Sequence, residues 1–230
     1  MTEAFAEVAE RLAGVRGQVA TAARAAGRDP TEITLVAVTK GQPTAALRAA
    51  YGAGQRDFGE NYVQEWQQKA AELQDLDIRW HFLGHLQRNK VRFVVGKVHL
   101  LHAVDDMQGL DEMARHAWAQ KTMQDVLLQV NLAAEPQKRG CTAADAELFA
   151  EVLQRSPGLR LRGLMTLPPL DADGAVARQW FRELRQLRDR LQPPGQAWSL
   201  SMGMSSDFAV AIAEGATHVR VGTAIFGKRG

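Results

Sequence analysis

The chain has 230 residues, 46% of them hydrophobic and 23% charged, with a formal net charge of +2, the make-up of an ordinary globular protein of one large domain. That balance gives no electrostatic reason to expect nucleic acid or an anionic membrane as the main partner, and the short basic clusters LQRNKVR (86–92) and LRQLRDR (184–190) read as solvated helix faces. A single cysteine, Cys141, cannot close an intramolecular disulfide, the charge-interrupted start MTEAFAEVAERLAGVRGQVA lacks the apolar core of a signal peptide, and no apolar stretch is long enough to span a bilayer; a cytoplasmic protein is expected.

Residues 3–26 predict an opening helix, with Val8, Ala9, Leu12, Val15 and Val19 at helical spacing. Gly27 and the DPTE stretch at 29–32 end it. From there, short apolar runs alternate with amphipathic helical patterns. Strands are predicted at 33–38, 56–60, 78–84, 98–104, 125–131, 159–167, 197–203 and 218–226. The helical patterns between them cover 43–54, 61–73, 107–121, 142–156, 173–191 and 206–216, and LQRNKVRFVV fills the gap between the third and fourth strands. The tryptophans at 66, 118 and 180 fall on these patterns as expected packing residues.

Strands that alternate with helices predict a parallel sheet covered by helices. Eight strands, seven intervening helices and one leading helix predict an α/β protein with a single (β/α)8 barrel domain over 1–230. The leading helix would take the ring position usually filled by a helix after the eighth strand. An open doubly wound sheet is the alternative.

In such barrels the active site lies at the carboxyl ends of the strands. The first strand ends at Thr39 and Lys40, the second at Glu60 and Asn61, and the third at Gly84 and His85. The fourth offers Asp105, the fifth Asn131, and the sixth Met165 and Thr166. The seventh ends in SMGMSSD (201–207), a loop entering a helix, with Ser205 or Ser206 placed to cap it. A helix start presents free N–H groups that suit phosphate; Gly222 and Thr223 after the eighth strand add a close backbone and a hydroxyl. A capped helix beside an ordinary turn explains the same residues.

Two cations change the weight of that loop. In HVRVG, Val219 and Val221 share one face of the strand and Arg220 the other, so valines packed on the helix layer would turn Arg220 into the barrel. A buried cation needs a partner or a task, a structural ion pair being the plain alternative. On the first strand Val36, Val38 and Lys40 share a face, which brings the lysine amine to the barrel mouth. Apolar neighbours disfavour a lysine's charged form and free its amine for condensation with carbonyls. Lysine for an aldehyde, a loop for phosphate and an arginine for a ring nitrogen together fit pyridoxal phosphate. His81 with His85, and His99 with His102, do not share a helix face as a zinc pair would, and no metal site is expected.

The stretches VAVTK (36–40), FGENYVQE (58–65), WHFLGHLQRNK (80–90), EPQKRG (135–140), RGLMTL (162–167), SMGMSSDF (201–208) and RVGTAIFG (220–227) resemble, in order and over nearly the whole chain, the pyridoxal-phosphate homeostasis family of YggS-like proteins. The resemblance implies a barrel like the N-terminal domain of bacterial alanine racemase, with pyridoxal 5'-phosphate held as a reversible Schiff base on Lys40. It implies a phosphate site at Ser201, Met204 and Ser205 of the seventh loop and at Gly222 and Thr223, with Arg220 near the pyridine nitrogen and Asn61 near the cofactor. Gly41 departs from the threonine that many members carry after the lysine.

An arginine at the ring nitrogen donates a hydrogen bond and keeps that nitrogen from gaining a proton, so a carbanion at a substrate's α carbon is poorly stabilised. Racemases of this fold use the same arginine, but two-base racemisation also needs a group on the opposite face, supplied there by an additional domain of the partner subunit. This chain offers Tyr51 and Tyr62. The expectation is a carrier that stores pyridoxal phosphate and delivers it to apo forms of the enzymes that use it, as a monomer or weak dimer; a racemase and a Schiff-base aldolase are the alternatives.

Overall fold

The computed structural model describes residues 3–169 and 174–227, with side chains from Glu7 onward. Eight strands pair in sequence order, all in parallel, and the eighth closes on the first. They are β1 (Thr34–Val38), β2 (Asp57–Glu60), β3 (Arg79–Phe82), β4 (Leu100–Val104), β5 (Gln124–Gln129), β6 (Leu159–Met165), β7 (Ser199–Ser201) and β8 (His218–Val221). Around them run α1 (Glu3–Ala25), α2 (Thr44–Gly52), α3 (Val63–Glu72), α4 (Val91–Val94), α5 (Met107–Ala119), α6 (Ala146–Arg155), α7 (Gly174–Leu191), α8 (Phe208–Ala213) and α9 (Thr223–Phe226). The closed barrel excludes the open sheet. Asp173, the first residue of the helical pattern predicted over 173–191, lies outside the described residues.

Alternation along the strands sorts the side chains. Leu35, Ala37, Phe58, Trp80, Phe82, Leu101, Val219 and Val221 face outward and are buried in one continuous core with Leu12, Leu47, Trp66 and Leu110 of the helices. A second, small apolar group of Leu100, Ala103, Leu127 and Met165 packs apart from that layer. Asp57, His81, His102, Ser201 and Arg220, which alternate with the outward residues, are nevertheless buried. Helix α1 buries Val8, Leu12, Val15 and Val19 and packs on α2, α8 and α9. Arg11 Nε donates to Ile225 O at 2.9 Å and Arg28 Nη1 to Ala216 O at 2.7 Å, which ties the leading helix into the ring.

Two expectations are corrected. The run predicted as one strand over 218–226 stops at Val221, and its end coils into α9, where Ile225 N and Phe226 N both donate to Gly222 O at 2.9 Å. A continuous apolar run carries no period that separates a strand from a buried helical turn. The gap between the third and fourth strands holds, as the count of seven intervening helices expects, a 3-10 turn at Arg88–Lys90 followed by α4. Trp118 does not pack: Leu110, Met113, Ala114 and Ala117 form the buried face of α5, and Trp118 lies off it, 68% exposed. No helix among the described residues is long and apolar enough to cross a membrane.

Candidate functional site

Arg220, next to last in β8, lies between two valines that pack on the helix layer, so its guanidinium enters the barrel. It is buried, donating from Nη1 to Ser201 Oγ at 2.5 Å and from Nη2 to Thr166 O at 3.0 Å. Burial pushes its pKa down to about 10, against the raising influence of the Asp207 carboxylate, which leaves it charged at neutral pH. Above it opens a cavity of about 210 Å³ at the carboxyl ends of the strands. Its wall combines Val38, Leu83, Met165 and Leu167 with Asn61, Met204, Ser205, Gly222 and Thr223. An apolar slot with a few convergent polar groups is the usual form of a small-molecule site.

Lys40 stands two residues beyond Val38, half-buried, with its Nζ 4.8 Å from the centroid of the Tyr62 ring. Its backbone is clamped from both sides by a second, buried lysine. Lys69 on α3 donates to Thr39 O, to Glu60 Oε1 and to Glu65 Oε1, each at 2.6 Å. Thr39 Oγ1 also donates to Glu60 Oε1 at 2.5 Å, and Gly41 N donates to Glu65 Oε1 at 2.5 Å. Burial pushes the Glu60 carboxyl up, opposed by the hydrogen bonds from Lys69 and Thr39. Gly41 adopts φ +71°, a left-handed conformation that suits glycine, which accounts locally for its standing where threonine is common in the resembling family. Asn61 is fixed from below: a Cβ on Gly84 would overlap the Asn61 carbonyl oxygen, so β3 can approach the β2–α3 loop only with glycine there.

The loop after β7 differs from its expected form. Neither Ser205 nor Ser206 caps α8; Asp207 occupies the cap position, and its Oδ1 accepts from Met204 N at 2.5 Å. That carboxylate pulls the loop into a turn in which the backbone N–H groups of Ser205 and Ser206 donate to no protein acceptor among the described residues, and the same is true of Gly222 N. Unpaired N–H groups beside a cation form a concave donor set that suits an anion. The residues expected around phosphate therefore divide. Met204, Ser205, Gly222 and Thr223 line the cavity, whereas Ser201 lies fully buried under Arg220.

The sequence reading missed Lys69, Glu65 and the task of Glu60. A signal was present: Lys69 shares the apolar face of α3 with Val63 and Trp66, and a lysine on such a face asks for a buried partner. His85 pairs through Nδ1 with both carboxylate oxygens of Asp105 at 3.0 Å, and burial pushes that carboxyl up. Asp106 stands beside this pair but caps α5 by accepting from Gly109 N at 2.7 Å.

The family model for the alanine racemase N-terminal domain matches residues 7–230. A pyridoxal phosphate homeostasis protein of Pseudomonas aeruginosa is 45% identical over 222 residues, 96% of each chain. One of Aquifex aeolicus is 41% identical, over 96% of this chain and 97% of that one. Among solved structures, PipY of Synechococcus elongatus with pyridoxal phosphate bound is 41% identical, covers 96% of this chain and all of its own, and superposes with a TM-score of 0.85.

Proposed function

Because the chain belongs to the alanine racemase N-terminal domain family and, within it, to the pyridoxal phosphate homeostasis proteins, we propose that it is one cofactor-binding domain that holds pyridoxal 5'-phosphate on Lys40 and passes it to apo enzymes. The observation that carries this reading is the cavity where the buried guanidinium of Arg220 meets Ser205 and Gly222, whose N–H groups have no protein acceptor among the described residues, with Lys40 two residues beyond the lining Val38 and its amine over the Tyr62 ring. Those residues fit the group. The N–H set with the hydroxyls of Ser205 and Thr223 suits a phosphate, the wall of Val38, Leu83 and Met165 suits a flat ring, and Arg220 suits a ring nitrogen. Bound there, pyridoxal phosphate brings an aldehyde that condenses reversibly with a primary amine, and Lys40 is the amine we assign to it.

The residues themselves favour holding over turnover. Arg220 keeps its proton and can only donate, so it leaves an acceptor nitrogen unprotonated. Apart from Arg220, no described side chain lining the cavity is titratable, and the nearest phenol, Tyr62, lies against Lys40 itself. Proton transfer on the face opposite Lys40 therefore has no agent among the described lining residues. Asn61 borders both this cavity and the neighbouring cleft that holds Tyr62 and His85, which gives a bound molecule an edge open to solvent.

The experiment is a transfer assay. Protein loaded with pyridoxal phosphate and freed of excess is mixed with the apo form of an enzyme that uses it, and recovery of activity is followed beside a coupled assay for L- to D-amino acid conversion. Recovery without racemisation is the expected result. Racemisation abolished by Lys40→Ala would move the protein to the enzymes, and cofactor retained indefinitely beside the acceptor would remove delivery.

A further inference from the structure

We infer that Ser201, His102, His81 and Asp57 form a hydrogen-bond chain of fixed direction through the barrel interior, and that this chain sets the orientation of Arg220 from the opposite end of the barrel. Four side chains on four strands take part, with Arg220 at the upper end and Arg79 at the lower. Arg220 is a donor only, and its Nη1 lies 2.5 Å from Ser201 Oγ, so that oxygen accepts. The serine hydrogen must then go elsewhere, and His102 Nδ1 stands 2.8 Å away. His102 accepts on Nδ1 and, being neutral, carries its proton on Nε2, 2.9 Å from His81 Nδ1. His81 therefore accepts on Nδ1 and donates from Nε2 to Asp57 Oδ1 at 3.0 Å. Asp57 ends the chain as an anion that also accepts from Arg79 Nε at 2.8 Å and Nη2 at 2.6 Å.

Turning round any one link leaves the Ser201 hydrogen without an acceptor or sets two N–H groups against each other, in an interior where an unmet polar group is costly. The alternative of charging an imidazole is opposed by the surroundings. The rings of His99 and His218 lie 5.4 and 5.9 Å from His81, His218 lies 5.8 Å from His102, and Arg79 and Arg220 stand at the two ends. Burial first, and then His81, His218, Arg220 and His99, push His102 well below its ordinary value. Against them stands the single carboxylate of Asp57.

With Ser201 held as an acceptor and Thr166 O taking Nη2, the remaining N–H groups of the guanidinium are left for the cavity. Asp57, His81 and His102 do not line that cavity, so they act through Ser201 as positioning residues. What this means for a bound cofactor rests on the reading of Arg220 given above; the direction of the chain does not.

The test is made first on cofactor-free protein by nitrogen-15 NMR. His81 and His102 should both show the neutral Nε2–H tautomer between pH 6 and 8 (an interval of about two units around the ordinary imidazole value), and the Arg220 Nη hydrogens should be sharp and slow to exchange. In Asp57→Asn the His81 proton should redistribute between its two nitrogens and the Arg220 signals should broaden. Ser201→Ala should broaden Arg220 while leaving His81 on Nε2–H, and it serves as the second variant if Asp57→Asn does not fold. An Nδ1–H tautomer or an imidazolium at either ring of the parent protein, or Arg220 signals identical to the parent in both variants, overturns the inference. With pyridoxal phosphate present, both variants should shift the pH midpoint of its visible band by about half a unit or more; an unmoved midpoint in protein labelled on Lys40 overturns the link to the cofactor. Failure of the cofactor reading itself shows as absent label on Lys40, a separate result that leaves the NMR outcome standing.

Discussion

The ammonium of Lys69 lies 2.6 Å from the carbonyl oxygen of Thr39, the residue before Lys40. One buried lysine thus holds the backbone beside another, whose amine lies over the Tyr62 ring. Its side chain and that of Glu60 are 6% and 0% exposed, so the pair is desolvated and its value depends on both members being present. Lys69→Met should destabilise the fold by about 3–5 kcal/mol, because it leaves the Glu60 carboxylate buried and unpaired. Adding Glu60→Gln should recover more than half of that loss. Urea denaturation of the two variants measures both, and equal stability of Lys69→Met and the parent would remove the clamp.

Gly41 sits at φ +71°, with its N–H on Glu65. Gly41→Thr asks a β-branched residue to adopt a left-handed conformation and should cost about 1–2 kcal/mol. The change concerns the loop and not the amine, so the attachment of cofactor to Lys40 should persist. Thermal denaturation together with cofactor absorbance checks the two halves of this prediction.

Acid should unfold the protein in two stages. His81, His102 and His218 all have lowered pKa values, with burial as the leading cause, and His218 is brought down to about 3. The unfolded chain then binds more protons than the folded one below an imidazole's ordinary value, so stability present at pH 7 falls as pH drops toward 5, by up to about 2 kcal/mol for each ring. Burial alone would raise Asp57, but hydrogen bonds from His81 and Arg79 outweigh it and hold the carboxyl well below the usual range. Its contribution is present above that range and is lost as pH falls through and below it. Glu60, raised by burial, works in the opposite sense and flattens the slope just above pH 4.5. Urea midpoints measured from pH 8 to pH 3 should show both stages, and His102→Leu should shrink the first. A midpoint that stays level between pH 7 and pH 5 would contradict the neutral histidines.

Ser205 and Thr223 offer hydroxyls at the cavity rim beside the free N–H groups. Replacing both with alanine should weaken pyridoxal phosphate binding about tenfold, the scale of losing hydrogen bonds to a charged group. Binding of pyridoxal, which lacks the phosphate, should be unchanged. Titration of the two ligands by absorbance separates a phosphate role from a general loss of shape.

Much of this arrangement was legible because strand side chains alternate. Val219 with Val221 set Arg220 inward, without knowledge of any partner, whereas Lys40 lies in a turn beyond the end of β1, where alternation no longer directs its side chain. The end of the eighth strand was not legible, since GTAIF is equally apolar as strand or as helical turn, and the difference lies in bonds to Gly222 O. Ser205 and Ser206 looked like caps because the residue types allow it; Asp207, one place further on, took the position. The interior histidines were the largest loss. His81 and His102 are 21 residues apart and meet only because β3 and β4 pair in one register. No spacing rule joins them to Asp57 or to Ser201 across the barrel.

The central claim is that Lys40 is the residue that takes the cofactor. Protein incubated with pyridoxal phosphate, reduced with borohydride and digested should carry the phosphopyridoxyl group on the peptide containing Lys40, and Lys40→Ala should carry none. A label on Lys69 or another lysine, or protein that stays colourless and unlabelled, would contradict it.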